Sequence, residues 1–246
     1  DKASLASSTK SMSKHSLLGL IDSLESAINK LNWSPQKSEW INYYDECSHV
    51  NAFLDEKINL INNFLDFLRP KTLWDLGANT GVFSRIASER GVLTVSMDFD
   101  PSCVETNYLQ ALEKKEKNLL PLLIDLNNPT PGIGWNNKER MSFQDRGPVD
   151  TIFALALIHH LAISNNVPLT KVANFFSNIC QSLIIEFIPK SDLMAQKLLT
   201  SREDIFPDYT QVLFEKEFQK FFNIIKTGKI SNSDRTLYLM QNKNHA

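Results

Sequence analysis

Three aspartates close three short apolar runs in this chain: Asp75 in Leu73-Trp74-Asp75-Leu76, Asp98 after Val95-Ser96-Met97, and Asp125 after Leu122-Leu123-Ile124. A carboxylate offers two acceptor oxygens, so such residues can accept hydrogen bonds from an ammonium, from the hydroxyls of a ribose edge or from an adenine amino group. Asp75 opens the loop Asp75-Leu-Gly77-Ala-Asn79-Thr-Gly81, where Gly77 allows a tight turn and Gly81 lets a following helix lie close to its neighbours. A dinucleotide fingerprint wants a glycine where Asn79 stands, because backbone must there approach a pyrophosphate. The loop therefore favours a nucleoside ligand without phosphates, with Asp75 as partner for an ammonium. Asp98 lies 98 − 75 = 23 positions later, close to the offset at which an acid meets a ribose. Asp100 is read instead as the N-cap of a helix opening at Pro101. Asp125 can accept from an adenine amino group, with Leu126 against the ring, or simply start a turn.

A second group of residues could handle a proton. His159 and His160 follow a strand-like run, and a positioned imidazole is the commonest base for a hydroxyl nucleophile. His159 is the candidate base and His160 its neighbour; the alternative is an imidazole bonded to backbone in a strand-to-loop turn. Glu186 stands alone in the apolar run Leu183-Ile-Ile-Glu-Phe-Ile188, so it needs a partner. That partner is either a histidine of the adjacent strand, which would make it catalytic, or Lys190 or Arg202, which would make it structural. Trp135 and Arg140 sit in a polar insertion of about residues 127–147, too long for a simple connection, and are candidates for binding the acceptor.

The elements that must position these groups can be read from periodicity. Runs at Thr72–Leu76, Val92–Met97, Leu119–Ile124, Thr151–Leu157 and Ser182–Ile188 alternate with helical segments, which argues a parallel, doubly wound sheet. Asn223–Thr227 and Thr236–Met240 flank a polar turn and predict a closing hairpin at a sheet edge, after a helix at Phe214–Phe222. Upstream, Leu17, Leu20, Ile21, Leu24, Ile28 and Leu31 follow helical spacing, and a second helix ends near Pro70. Residues 15–70 are thus expected to form a helical cap on a core at 71–246, and residues 1–14, rich in Ser and Lys, a mobile tail. Because the chain opens on Asp, further flanking domains are expected beyond it.

Composition removes several classes of function. With a formal net charge of −2 and lysines at 114, 115 and 117 interleaved with Glu113 and Glu116, no nucleic-acid partner is indicated. Cys47, Cys103 and Cys180 are odd in number and lack a Cys-x-x-Cys pair, which predicts neither a metal site nor a disulfide framework and suits a cytoplasmic location. No apolar run approaches the roughly 20 residues of a membrane helix.

Taken together, the acid–Gly–x–x–x–Gly loop, the acids after the next two runs, and Asp150…Ala154-Leu-Ala-Leu-Ile-His-His-Leu161 resemble, in their order, the motifs of class I S-adenosylmethionine (SAM)-dependent methyltransferases over about Lys71–Lys190. Asn128-Pro-Thr-Pro-Gly-Ile-Gly-Trp135, Glu186-Phe-Ile-Pro-Lys-Ser-Asp192 and Ser201-Arg-Glu-Asp-Ile-Phe-Pro-Asp-Tyr-Thr210 are similar to a bacterial subgroup described as nodulation-protein-like. The resemblance implies a Rossmann-like α/β fold with a seven-stranded, mostly parallel sheet. It also implies SAM as cofactor, released as S-adenosylhomocysteine (SAH), at Asp75, Gly77, Asn79, Gly81, Asp98, Phe99, Asp125, Leu126 and Ala154. Glu39-Trp40-Ile-Asn-Tyr43-Tyr44 and a following lysine match the subgroup, which adds Tyr44 and Lys57 to the expected cofactor set. The implied activity is methyl transfer to a small-molecule or carrier-bound acceptor, with O-methylation favoured by the paired histidines. The alternatives are a binding or scaffold protein of the same fold, methylation of a protein or nucleic acid, and a nicotinamide oxidoreductase, which Asn79 disfavours.

Overall fold

A computed structural model describes residues 12–34, 38, 40–41, 51–200, 203–230 and 233–245. It divides the chain into two compact units, Asp1–Gln36 and Lys37–Ala246. The first holds helix α1 (Lys14–Asn29), which starts where the Ser13 hydroxyl accepts from Ser16 N at 3.1 Å. The second unit holds α2 (Asn51–Leu68), ended by Arg69-Pro70, and the sheet. Residues 1–11 of the expected tail lie outside the described residues.

In the second unit the strands are β1 (Thr72–Leu76), β2 (Leu93–Asp98), β3 (Leu119–Leu123), β4 (Val149–Ala154), β5 (Cys180–Phe187), β6 (Phe222–Lys229) and β7 (Thr236–Asn242). They form one seven-stranded sheet in the order β3-β2-β1-β4-β5-β7-β6. The pairs among β1 to β5 are parallel, and β7 is antiparallel to both β5 and β6. The seven-stranded, mostly parallel sheet and its closing hairpin are as expected.

Central strands are apolar on both faces because both faces are covered. On one side Leu73, Phe153, Ile184, Leu237 and Leu239 pack against Ile61, Phe64 and Leu65 of α2 and Phe83 and Ala87 of α3 (Val82–Ser88). On the other side Ile152, Leu183, Ile185, Tyr238 and Met240 meet Phe176 of α5 (Leu169–Ile179) and Phe214 and Phe218 of α7 (Gln211–Phe218). Helix α4 (Pro101–Lys114) connects β2 to β3 and is capped by Asp100, whose carboxylate accepts from Ser102 N at 2.8 Å. Between β3 and β4 the insertion carries only two short 3₁₀ turns and an antiparallel bridge, Ile133 to Arg140. With no helix there, Leu120 and Leu122 of β3 stay exposed.

Most strand boundaries shift by one or two residues, and the largest shifts fall in two elements. Strand β4 stops at Ala154 rather than Leu157, because Ala156 takes a left-handed φ of 49° and breaks the extended run. The last helix begins at its Thr210 cap and ends at Phe218, which releases Phe222 into β6.

Candidate active site

The strand order reverses between β1 and β4, and in such sheets the crevice beyond the carboxyl ends of the strands is where ligands bind. A cavity of about 1240 Å³ lies there. Asp75, Gly77, Asn79, Asp98, Phe99, Asp125 and Leu126 line it along β1 to β3, and His159 and His160 line it beyond β4. Lys57 reaches it from α2.

On the β1 to β3 side the acids are held by local hydrogen bonds. Ser84 Oγ donates to Asp75 Oδ2 at 2.6 Å, and burial raises the Asp75 carboxyl to about 7 against the opposing pull of Ser84 and Lys57. Asp98 accepts from Asn79 N at 2.7 Å on one oxygen and from Asp100 N at 2.9 Å on the other. Burial raises its pKa too, with those N–H groups opposing. Asp125 Oδ1 accepts from Asn127 N at 2.8 Å, so the turn-starting role is realised while the residue still faces the cavity. Phe99 is 61% exposed, an open ring beside the Asp98 carboxylate.

The glycine loop bends as its sequence demands. Gly77 and Gly81 have φ of 75° and 79°. A Cβ on Gly77 would come within 3.1 Å of Leu157 Cδ1, and one on Gly81 within 2.5 Å of the Asn107 side chain. Gly81 packs against Asn107 and is not among the residues that line the cavity. Ala154 is likewise interior, and Leu155, Ala156 and Leu157 form the wall in its place, because β4 ends early.

At the other wall both histidines face the cavity, so the choice between them is not one of orientation. His159 is 2% exposed, and burial pushes its pKa well below the usual value, helped by the positive groups of Arg235 and Lys57. Its Nδ1 is buried with no hydrogen-bond partner among the described residues. Burial lowers His160 to about 4, and its ring meets Trp40 edge-on at 5.2 Å between centroids. Trp40 itself is tied to the glycine loop by Asn79 Nδ2, which donates to its carbonyl at 2.8 Å.

Glu186 pairs with neither histidine, nor with Lys190, which bonds Asp204 instead. Its Oε2 accepts from Lys57 Nζ at 2.6 Å and from Ala156 N at 2.8 Å, and Arg235 stands 3.6 Å from Oε1. Burial would raise this carboxyl, but Lys57 and Arg235 outweigh it and hold it low. Glu186 is fully buried and lies outside the lining of the cavity, behind Lys57 and Arg235, which do line it. Trp135 and Arg140, expected at the acceptor, do not line the cavity, and Trp135 is 83% exposed. Tyr44 and Arg202 lie outside the described residues.

Arg235 escaped sequence reasoning. It immediately precedes β7, bonds Asp192 through Nε at 2.7 Å and Nη2 at 3.0 Å, and lines the cavity with Asp192. Asp192 also accepts from Met194 N at 2.9 Å at the start of α6 (Leu193–Thr200), whose Leu193, Met194, Lys197 and Leu198 complete the wall. A lone arginine before an apolar strand was the available signal, but its partner depended on the antiparallel pairing of β7 with β5. Among the described residues no helix is long and apolar enough to cross a membrane.

No family model matches the chain. It is 35% identical over 207 residues to nodulation protein NoeA of Rhizobium meliloti (strain 1021), covering 84% of this chain and 43% of that protein. The chain thus spans less than half the length of the curated relative it matches. Its fold is that of magnesium protoporphyrin IX methyltransferase ChlM from Synechocystis PCC 6803, crystallised with bound SAH, at a TM-score of 0.57 and 15% identity, covering 90% of this chain and 94% of that one. N-methyltransferase NodS from Bradyrhizobium japonicum WM9 matches at a TM-score of 0.55 and 10% identity over 78% of this chain and 98% of that one. WbdD matches at 0.54 and 17% identity over 89% of this chain and 47% of that one. The sheet is therefore the Rossmann-like sheet of class I methyltransferases.

Proposed function

We propose that this chain, a homologue of NoeA with the class I methyltransferase fold, is a SAM-dependent methyltransferase acting on a small-molecule or carrier-bound acceptor. One observation carries the proposal: carboxylates from the ends of β1, β2 and β3 line a single cavity that two histidines close from beyond β4. The residues fit SAM. Asp75 has one oxygen on Ser84 and a second for an ammonium. Asp98, held by two backbone N–H groups, keeps lone pairs for ribose hydroxyls. Phe99, Ile124 and Leu126 provide apolar surface for an adenine, beside Asp125. Asn79 spends its side chain on Trp40 and Thr80, leaving no open backbone cradle for a pyrophosphate.

SAM supplies an electrophilic methyl group, so the protein's contribution is largely position and exclusion of water. His159, neutral at pH 7, accepts the proton of an acceptor hydroxyl. In this reading Nε2 is the accepting atom and the buried Nδ1 carries the ring proton. His160 and Trp40 form the neighbouring wall. O-methylation is the reaction this arrangement favours.

Calorimetric titration with SAM, SAH and NADH tests the proposal, and NADH binding without SAM binding would end it. Asp98→Ala should weaken SAM binding by about 1–3 kcal/mol, the scale of hydrogen bonds involving a charged group. Incubation with SAM and fractionated cell extract should yield SAH; no conversion in any fraction would favour a binding or scaffold protein.

A further inference from the structure

We propose that Glu186 is a positioning residue whose buried carboxylate holds the turn after β4, and with it the histidine wall, against the cofactor-side glycine loop. This role rests on the methyl-transfer assignment only for its functional consequence. Its basis is the geometry of one oxygen. Glu186 Oε2 accepts from Ala156 N at 2.8 Å and from Lys57 Nζ at 2.6 Å. Ala156 has φ of 49°, a region that a residue with a Cβ rarely adopts unless its surroundings impose it. The next residue, Leu157, packs directly on Gly77, 3.1 Å from where a Cβ would stand. His159 and His160 follow two and three positions further on.

The carboxylate therefore joins three parts of the cavity wall: α2 through Lys57, the glycine loop through Ala156 and Leu157, and the acceptor side through the histidines. It is fully buried and outside the cavity lining, so it acts through these residues and not on a ligand. Lys57 and Arg235 keep it ionised in that position, where a lone charge would be costly.

Two double variants separate the hydrogen bond from the charge. Lys57→Met/Glu186→Gln and Lys57→Met/Glu186→Leu both remove the buried ion pair, but only the glutamine keeps an acceptor for Ala156 N–H. The glutamine variant should bind SAH at least tenfold tighter than the leucine variant, and the His159 imidazole resonances should shift in the leucine variant relative to the glutamine one. In the unaltered protein the Ala156 amide should exchange slowly with solvent, although it lies beyond the last residue of β4. Equal SAH affinities and equal His159 resonances in two folded variants would overturn the proposal, as would a fast-exchanging Ala156 amide. If neither variant folds, the exchange measurement decides alone. Failure of the unaltered protein to bind SAH would instead count against the methyl-transfer reading, leaving the amide exchange and the ligand-free resonances to judge Glu186.

Discussion

Asn79 ties the glycine loop to Trp40: its side-chain amide donates to the Trp40 carbonyl at 2.8 Å while its own carbonyl accepts from Thr80 N at 2.7 Å. It does so from a left-handed φ of 52°, which asparagine tolerates better than most residues. Asn79→Ala should lose both side-chain bonds and strain the backbone, lowering stability by about 2 kcal/mol. Asn79→Gly loses the bonds without the strain and should cost less. Chemical unfolding of the two variants checks the order, and an alanine variant as stable as the glycine one would contradict it.

Gly81→Ala should destabilise by about 2–3 kcal/mol, because the new methyl meets a filled site from a positive φ. The Asn107 side chain lies 2.5 Å from that methyl and is itself held on Ser96 Oγ at 2.8 Å. Ser84 Oγ bonds both Ser96 and Asp75, so displacement of Asn107 should also weaken SAH binding through Asp75. Retention of full stability in a melting experiment would show that Asn107 yields freely.

Asp75 sets a pH dependence. Its folded pKa is raised from 3.8 to about 7, so its contribution to stability is fully present below about pH 4 and is lost as pH rises through 7. A ligand ammonium favours the carboxylate, and SAH affinity should therefore rise between pH 6 and 8 with release of a proton. Calorimetry in buffers of different ionisation enthalpy measures that proton; none released near pH 7 would refute the coupling.

The histidines act in the opposite sense. His159 is lowered well below 6.5 and His160 to about 4, so the unfolded chain takes up protons that the folded one refuses. Stability should fall as pH drops from about 6.5 toward 4. His159→Ala should leave SAH binding intact and slow methyl transfer by roughly 100-fold. Once an acceptor is in hand, single-turnover rates of the variant decide, and an unchanged rate would return His159 to a packing role.

Much of this protein is determined by local sequence. The acids at strand ends, the glycines of the first turn and the alternation of apolar runs with helices follow from backbone sterics and periodicity, which act over a few residues. They identified five parallel strands, the closing hairpin and one wall of the cavity. What only the tertiary structure decided was pairing across long separations. Glu186 meets Lys57 from 129 residues away, and Arg235 reaches it because β7 runs antiparallel beside β5. Trp135 points to the same limit, since a large aromatic in a loop reads as a pocket residue until packing leaves it in solvent. A buried charge must find a partner, but which partner is settled by the order of strands in the sheet and by which helix lies across it.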